Sequence, residues 1–566
     1  MKVLLKKASA ILLALSIVIA LAACGGSKVE NTSAPAVDGT APATTAAATE
    51  EVKSDPFKMD QVVTMTVSKG VSDDHSYPEG DDPQNNPVYK NFENNVGIKF
   101  VNAFTTSGDY YTPGNAYYQK LKLAIAGNDI PDMVVCDINT MDILIKNDMV
   151  MDLKPAYEKF ATDNLKKVVG FRDNIAFTPV TNGEKIYAMP VTGDGFNGVS
   201  LMYLRQDWLD KLKLQAPKTM EEMFELAKTF AAQDPDGNSK ADTLGLYMDK
   251  DLIHQTTLQG IMNAYGVYPQ QYISGADGKL TYGSLDPKAK DALTKLNELF
   301  TAGAVDKEFA IKDRVKAVEK VAEGKIGIYV GEFWSPIWPL ADGHKNNPQS
   351  DWVAYPMPGS TGSEFVPYSP LPVSYYVALK KGYQYPEAII KAFNNQAQSF
   401  YENDSAYNKE WDRLTMQDEK YKAISAQLNN WAPFYIDSPT KNYDCAQHVK
   451  QALDKDNPNP DACINAYEKD VLAKCQTDTE DNWGTRKIFL EAELAFDNYK
   501  NYKTTAYLGG PTDSQVKLAE TLNKFETEEF TKMIIKGDID KEFDFFVKKW
   551  YELGGQKILD EMAAAR

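Results

Sequence analysis

One stretch of the 566-residue chain has residue types and spacing suited to coordination chemistry: Asp234-Pro-Asp236-Gly-Asn238-Ser-Lys240-Ala-Asp242. Oxygen-bearing side chains stand at its first, third, fifth and ninth positions, and the Lys240 carbonyl falls at the seventh. That alternation turns oxygens toward one centre, as a hard Ca2+ ion requires, with six to eight ligands at roughly 2.3–2.6 Å. The pattern predicts a structural calcium ion held by Asp234, Asp236, Asn238, Lys240 and Asp242. Two positions depart from the usual twelve-residue calcium loop: the sixth is Ser239 in place of Gly, and the twelfth is Gly245 in place of a bidentate Glu. A metal-free polar turn is the competing reading, since Asp, Asn, Pro and Gly favour turns in any case. No nucleophile or water-activating group stands beside the loop, so a metal there would be structural.

Other reactive residue types form no comparable pattern. The five cysteines are Cys24, Cys136, Cys445, Cys463 and Cys475, with no C-x-x-C pair, and the four histidines are far apart, so no zinc site is predicted. Cys445, Cys463 and Cys475 are near enough in sequence for one disulfide; buried free thiols are the alternative. The chain has no G-x-S-x-G, no H-E-x-x-H and no supported S-x-x-K motif. Carboxylate pairs for glycoside hydrolysis could be drawn from 79 Asp and Glu anywhere, so their presence decides nothing. The formal net charge of −18 opposes phosphate backbones and anionic headgroups, which argues against nucleic-acid binding.

The N-terminus carries Lys2, Lys6 and Lys7, an apolar run from Ala8 to Ala20, and then Leu21-Ala22-Ala23-Cys24. The order of charge, short apolar run and small residues reads as an export signal rather than a membrane span. Leu-Ala-Ala-Cys resembles the lipobox of bacterial lipoproteins, which implies cleavage after residue 23 and acyl chains, palmitate among them, on Cys24. Two or more chains anchor stably where one does not. Residues 24–56, rich in Ala, Thr, Ser and Pro, are expected to be a disordered tether. The expected location is the outer face of a Gram-positive cell membrane, with membrane contact through lipid alone.

The remaining length needs more than one core. Gln61–Val67 and Asn95–Asn102 have strand character, Asn115–Ala126 places Tyr118, Leu121 and Ile125 on one helical face, and Met133–Cys136 reads as a buried strand. Strand, helix, strand at this spacing predicts a parallel βαβ unit. Thr219 with Glu222 makes a capping box, and Asp286 with Pro287 predicts another helix start. From about Pro386 the chain reads as helical. The fold class is α/β with a helical C-terminal portion.

Tyr203-Leu-Arg205-Gln-Asp207-Trp208, Pro217-Lys-Thr-Met-Glu-Glu-Met-Phe, the Asp234 loop, Gly127-Asn-Asp-Ile-Pro131-Asp132 and the tail Trp550-Tyr-Glu-Leu-Gly-Gly occur in an order that resembles large family 1 extracellular solute-binding proteins of carbohydrate ABC importers. The resemblance runs from Phe57 to Met562. It implies a two-lobe periplasmic-binding-protein-like fold with the ligand between the lobes. Residues 57–190 would begin lobe 1, 191–372 form lobe 2, 373–430 return to lobe 1, and 431–566 pack mainly on lobe 2. It further implies a monomer without catalysis that captures an oligosaccharide for permease subunits. A peptide- or other solute-binding lipoprotein and an exported glycoside hydrolase are the alternatives. Sugar sites combine aromatic faces with planar polar groups. The candidate contacts are Trp334 and Trp338 after a buried strand, Asp137 at a strand end, Tyr375 and Tyr376 at a lobe crossing, Trp431 and Arg205, with Tyr110 and Tyr111 as rim residues. Each has a packing alternative: core for the aromatics, a helix cap for Asp137, and an ion pair with Asp207 for Arg205.

Overall fold

The computed structural model describes residues 54–565, apart from 73–74, 111, 113, 276 and 402–404. The leader, Cys24 and Tyr111 therefore lie outside the described residues, as does nearly all of the tether. Two sheets organise the rest. Their strands, in chain order, are β1 (Val63–Val71), β2 (Ile98–Ser107), β3 (Met133–Cys136), β4 (Met189–Thr192), β5 (Leu201–Arg205), β6 (Leu244–Leu246), β7 (Ile326–Gly331), β8 (Trp352–Pro356) and β9 (Val373–Leu379).

The first sheet has the order β2-β1-β3-β9-β4. β1 runs parallel to both β2 and β3, whereas β9 is antiparallel to β3 and β4. The helix Ala116–Ala126 crosses from β2 to β3, capped by Asn115, whose side chain accepts from the Tyr118 amide. β1 and β2 each reach several residues beyond the expected stretches, to Val71 and Ser107. The second sheet has the order β8-β5-β7-β6, with only β7 and β6 parallel. Every residue of β3, β5 and β7 is buried, as strands covered on both faces must be.

Each sheet has its own core. One core gathers residues from 59–191 and 375–436, and the other those from 196–365 and 492–562, including Phe543, Phe546 and Trp550 of the helix Ile539–Glu552. A third, small cluster holds Cys445, Cys463 and Cys475, which are buried free thiols, as is Cys136. Thr219 caps the helix Met220–Ala232 by accepting from the Glu222 amide, as the capping box predicts. The helix expected from Asp286 starts later, at Ala289; Asp286 instead accepts from the Lys288 amide in a preceding turn.

Three segments cross between the two cores: 193–200 after β4, 357–372 before β9, and 432–440 after the helix Ser425–Trp431. They are bonded to one another. The Gly195 amide donates to the Pro439 carbonyl at 2.8 Å, Asp437 to Thr192 at 2.9 Å, and Gly193 to Pro372 at 3.2 Å. Arg172 fastens two crossings at once, donating to Ser369 Oγ (2.5 Å) and to the Gly195 carbonyl (3.3 Å) while lying 4.1 Å from the Tyr502 ring centre. A Cβ on Gly195 would lie 2.6 Å from the Phe171 ring, so a larger residue here would have to displace that ring. Arg172, Asp173 and Asn174 are all left-handed, with φ of 50°, 57° and 62°. Such residues cost about 1 kcal/mol or more each.

Candidate functional site

The parallel strands β1 and β2 end side by side, and ligands of α/β sheets bind beyond such ends. A cavity of about 150 Å3 opens there. Gly70 and Ser72 reach it from β1, Asp109 and Tyr110 from the turn after β2, Tyr375 from β9, and Asn429 and Asn430 from the helix Ser425–Trp431; His75 completes the wall. The Tyr110 and Tyr375 rings lie 5.3 Å apart at 56°. The Gly70 amide donates to Tyr110 Oη (3.3 Å) and the Tyr435 amide to Tyr375 Oη (3.4 Å), so both rings are held by backbone. Asp109 accepts from the Thr112 amide at 2.6 Å and from Thr112 Oγ1 at 3.1 Å, which fixes its carboxylate. Asn430 Nδ2 lies 2.9 Å from His75 Nε2.

Beneath this cavity sits Lys69, fully buried in β1. Its ammonium donates to the carbonyls of Asn430 (2.7 Å), Trp431 (3.1 Å) and Ala432 (2.8 Å), tying the third crossing to the strand. Burial lowers its pKa from 10.5 to about 7. A larger hollow of about 900 Å3 lies between the helices Pro87–Asn91 and Ala406–Asp412. It is framed by helices rather than strand ends and carries no aromatic ring in its lining, so the smaller cavity is the better candidate for a binding site.

Of the residues singled out in the sequence, Tyr110 and Tyr375 line the cavity. Trp334 is half-buried beyond the end of β7, against the thiol cluster, and its indole donates to the Glu332 carboxylate. Glu332 also accepts from Gln255, and burial raises its pKa. Trp338 packs half-buried on the second core. Four residues are committed elsewhere. Asp137 caps the helix Ile138–Lys146, accepting from the Thr140 amide at 2.8 Å. Tyr376 is buried, and its hydroxyl donates to the Ala176 carbonyl. Trp431 is fully buried and stacked on Tyr77 at 4.6 Å. Arg205 is buried in a two-pronged pair with Asp207 (2.8 and 2.7 Å) and lies 4.5 Å from the Trp208 ring centre. These four are structural because a fixed capping or packing partner consumes each side chain. Sequence reading missed Asp109, His75, Asn429 and Asn430. The two Asn sit more than 350 positions from His75, and only Tyr375 and the Tyr110–Tyr111 turn hinted at this corner.

The Asp234 loop folds on itself. Asp234 accepts from the amides of Asn238 (3.2 Å) and Ser239 (2.8 Å), and the Lys240 amide donates to Asn238 Oδ1 at 2.7 Å. Asn238 Nδ2 donates to Asp236 (2.8 Å) and Asp242 (2.9 Å). Lys325, outside the motif, places its ammonium 2.6 Å from Asp236 Oδ2 and 3.0 Å from Asp242 Oδ1. Hydrogen bonds from Asn238 and Lys325 lower the Asp242 pKa. At the twelfth position no side chain fits: a Cβ on Gly245 would lie 2.0 Å from the Ala227 carbonyl. Thr243 turns inward to the Phe230 carbonyl. The loop therefore offers five ligating residues toward the six to eight oxygens calcium takes, and the single ammonium of Lys325 already bridges two of its carboxylates. Among the described residues no group of three or more His, Cys, Asp or Glu is arranged to hold a metal.

Two α/β lobes joined by three crossings, with a polar, aromatic-lined cavity at the strand ends, define a two-lobed ligand-binding fold. The chain belongs to the bacterial extracellular solute-binding protein family, which it matches over residues 78–402, more than half its length. It is 28% identical over 233 residues to a polygalacturonan/rhamnogalacturonan-binding protein of Bacillus subtilis, covering 39% of this chain and 43% of that relative. It is 22% identical over 260 residues to a fructooligosaccharide ABC transporter substrate-binding protein of Streptococcus pneumoniae, covering 44% and 46%. The matched stretches thus span less than half the length of either relative. The fold resembles that of the pneumococcal protein in complex with kestose (TM-score 0.52, 16% identity, covering 88% of this chain and 98% of that one). An EF-hand mutant of the same protein gives 0.51 at 16% identity over 88% and 98%. An HMO-binding solute-binding protein from Bifidobacterium longum infantis gives 0.56 at 18% identity over 88% and 97%. No helix among the described residues is long and apolar enough to cross a membrane.

Proposed function

We propose that the protein is a lipid-anchored extracellular receptor that captures an oligosaccharide between its lobes and passes it to the permease of an ABC importer, without catalysis. The observation that carries this reading is the cavity at the ends of β1 and β2. It pairs two fixed aromatic rings, Tyr110 and Tyr375, with planar hydrogen-bonding groups on Asp109, Asn429 and Asn430. Rings cover the C–H faces of a pyranose, and planar polar groups bond its hydroxyls. Relatives named for fructooligosaccharide and for polygalacturonan/rhamnogalacturonan support the sugar assignment. Trp334, its indole held by Glu332, is a second-lobe candidate contact. Cys24 is the proposed attachment point for the anchor.

The test is a thermal-shift screen of the purified protein against glycans and peptides. Ligand at a hundredfold excess over its dissociation constant stabilises the folded state by about 2.7 kcal/mol. A glycan-specific rise in melting temperature is expected. A rise with peptides and none with glycans would overturn the reading.

We further infer that the 234–242 loop is a weak calcium site. Asp234, Asp236, Asn238, the Lys240 carbonyl and Asp242 would hold the ion, with water completing the shell. An entering ion would have to displace the Lys325 ammonium from Asp236 and Asp242.

A further inference from the structure

We propose that Lys69 is a positioning residue of the strand-end cavity, and that the proton on its ammonium sets how tightly a glycan is held there. This rests on the sugar-capture reading and adds a control on that site. The geometry beneath the cavity floor carries it. Lys69 is fully buried in β1, and its Nζ lies 2.7, 3.1 and 2.8 Å from the carbonyls of Asn430, Trp431 and Ala432. These carbonyls end the helix Ser425–Trp431, and the last carbonyls of a helix have no partner within it. One ammonium therefore fixes the helix end and the start of the third crossing, and with them Asn429 and Asn430 in the cavity wall. The centre of the Tyr110 ring, in the same wall, lies 5.9 Å from that nitrogen.

An ammonium gives three N–H bonds, one to each carbonyl; a neutral amine has only two to give. Losing the proton turns a lone pair toward a buried carbonyl, a mismatch the backbone relieves by moving. In the empty protein the helix end is free to make that shift. A sugar bonded to Asn429 and Asn430 holds it in place, so the complex favours the charged lysine. By linkage, binding then takes up protons and is tightest when Lys69 is charged. Burial lowers the Lys69 pKa to about 7, which brings this exchange into the neutral range. Affinity is thus full below that pH and falls as pH rises through it. Other titratable groups stand on the elements around Lys69. Burial keeps Tyr117, Tyr435 and Cys136 protonated through the same range. Asp109, Tyr110, Tyr375 and His75 line the cavity itself.

The experiment is titration calorimetry of the full protein with tri- and tetrasaccharides of fructan, galactan and galacturonan, from about pH 6 to about pH 9. Each titration is run in two buffers of different ionisation enthalpy, which counts the protons taken up. The glycan that binds is expected to do so about tenfold more weakly at the alkaline end, as a one-unit rise of the Lys69 pKa on binding requires, with net proton uptake near neutrality. Lys69→Met, checked for fold by circular dichroism, is expected to bind about tenfold more weakly than wild type at the acidic end and to lose the pH step. A step that persists in Lys69→Met belongs to another wall group and overturns the assignment, as does a variant that binds like wild type. If the variant does not fold, the wild-type proton count decides: zero uptake with pH-independent affinity overturns the inference and leaves sugar capture intact. Binding of no glycan at any pH would overturn the sugar-capture reading and this inference with it.

Discussion

Replacing Lys325 with Met tests how the Asp234 loop is held. The ammonium bridges Asp236 at 2.6 Å and Asp242 at 3.0 Å, and the Lys325 and Asp236 side chains are each only 17% exposed. A charge-assisted bond in that setting contributes about 1–2 kcal/mol. The outer bond to Asp242, whose side chain is 40% exposed, is solvated and contributes little. In the variant, Asp236 and Asp242 face each other without the lysine, so like-charge repulsion adds to the loss. For a lobe of this size, 1 kcal/mol moves the melting temperature by about 2–4 °C. In chelator, Lys325→Met should therefore melt a few degrees below wild type. Millimolar calcium should restore it, because the vacated carboxylates then accept the ion and binding stabilises the folded state. Wild type should respond weakly to chelator. Differential scanning calorimetry of both proteins, with EDTA and with calcium, gives the four values required. The reasoning fails if wild type drops in EDTA as far as the variant, or if calcium leaves the variant unchanged.

Three other outcomes are expected. Tyr375→Ala should weaken binding of the best glycan about tenfold or more by calorimetry, since the ring packs beside Tyr110 in the cavity wall, and tenfold corresponds to about 1.4 kcal/mol. Arg205→Ala should lower unfolding free energy by about 3 kcal/mol in denaturant titration while leaving glycan affinity unchanged, because its charge is buried on Asp207 and Trp208. Glu526 is fully buried, accepts from Tyr282 (2.7 Å) and Ser284 (2.5 Å), and burial raises its pKa from 4.5 to about 7. The folded state then holds more protons than the unfolded state between pH 4.5 and 7, so stability falls as pH rises through that window and stays low above it. Glu526→Gln should remove this slope and be more stable at pH 8 by up to about 3 kcal/mol; a variant with the wild-type slope would refute the assignment.

What the sequence made legible was local. The helix Ala116–Ala126 and the buried run Met133–Cys136 announced the βαβ unit through their own periodicity. Thr219 and Glu222 wrote the start of the helix Met220–Ala232, and the Asp234 loop was visible because all its side-chain oxygens lie within nine positions. What escaped were partners brought in from afar. Lys325 is 83 positions from Asp242 and 89 from Asp236. Lys69 bonds carbonyls more than 360 positions on. Nothing in the composition around Asn429 and Asn430 marks them as a wall of the cavity, because their placement depends on that lysine. Arg205, Tyr376 and Trp431 have the residue types of a sugar site but are used for packing, and only tertiary structure separates the two uses.

The three crossings have a mechanical consequence. A single linker would let one lobe swivel, tilt and slide against the other. Three strips bonded edge to edge, and pinned by Arg172 at Ser369 and Gly195, behave as a strap hinge, stiff to shear and twist and compliant to bending about one line. Any opening and closing is thereby confined close to a single degree of freedom, so successive cycles pass through the same intermediate shapes. A partner that docks across both lobes would then sense one variable, the bending angle, and could distinguish loaded from empty receptors without touching the cargo.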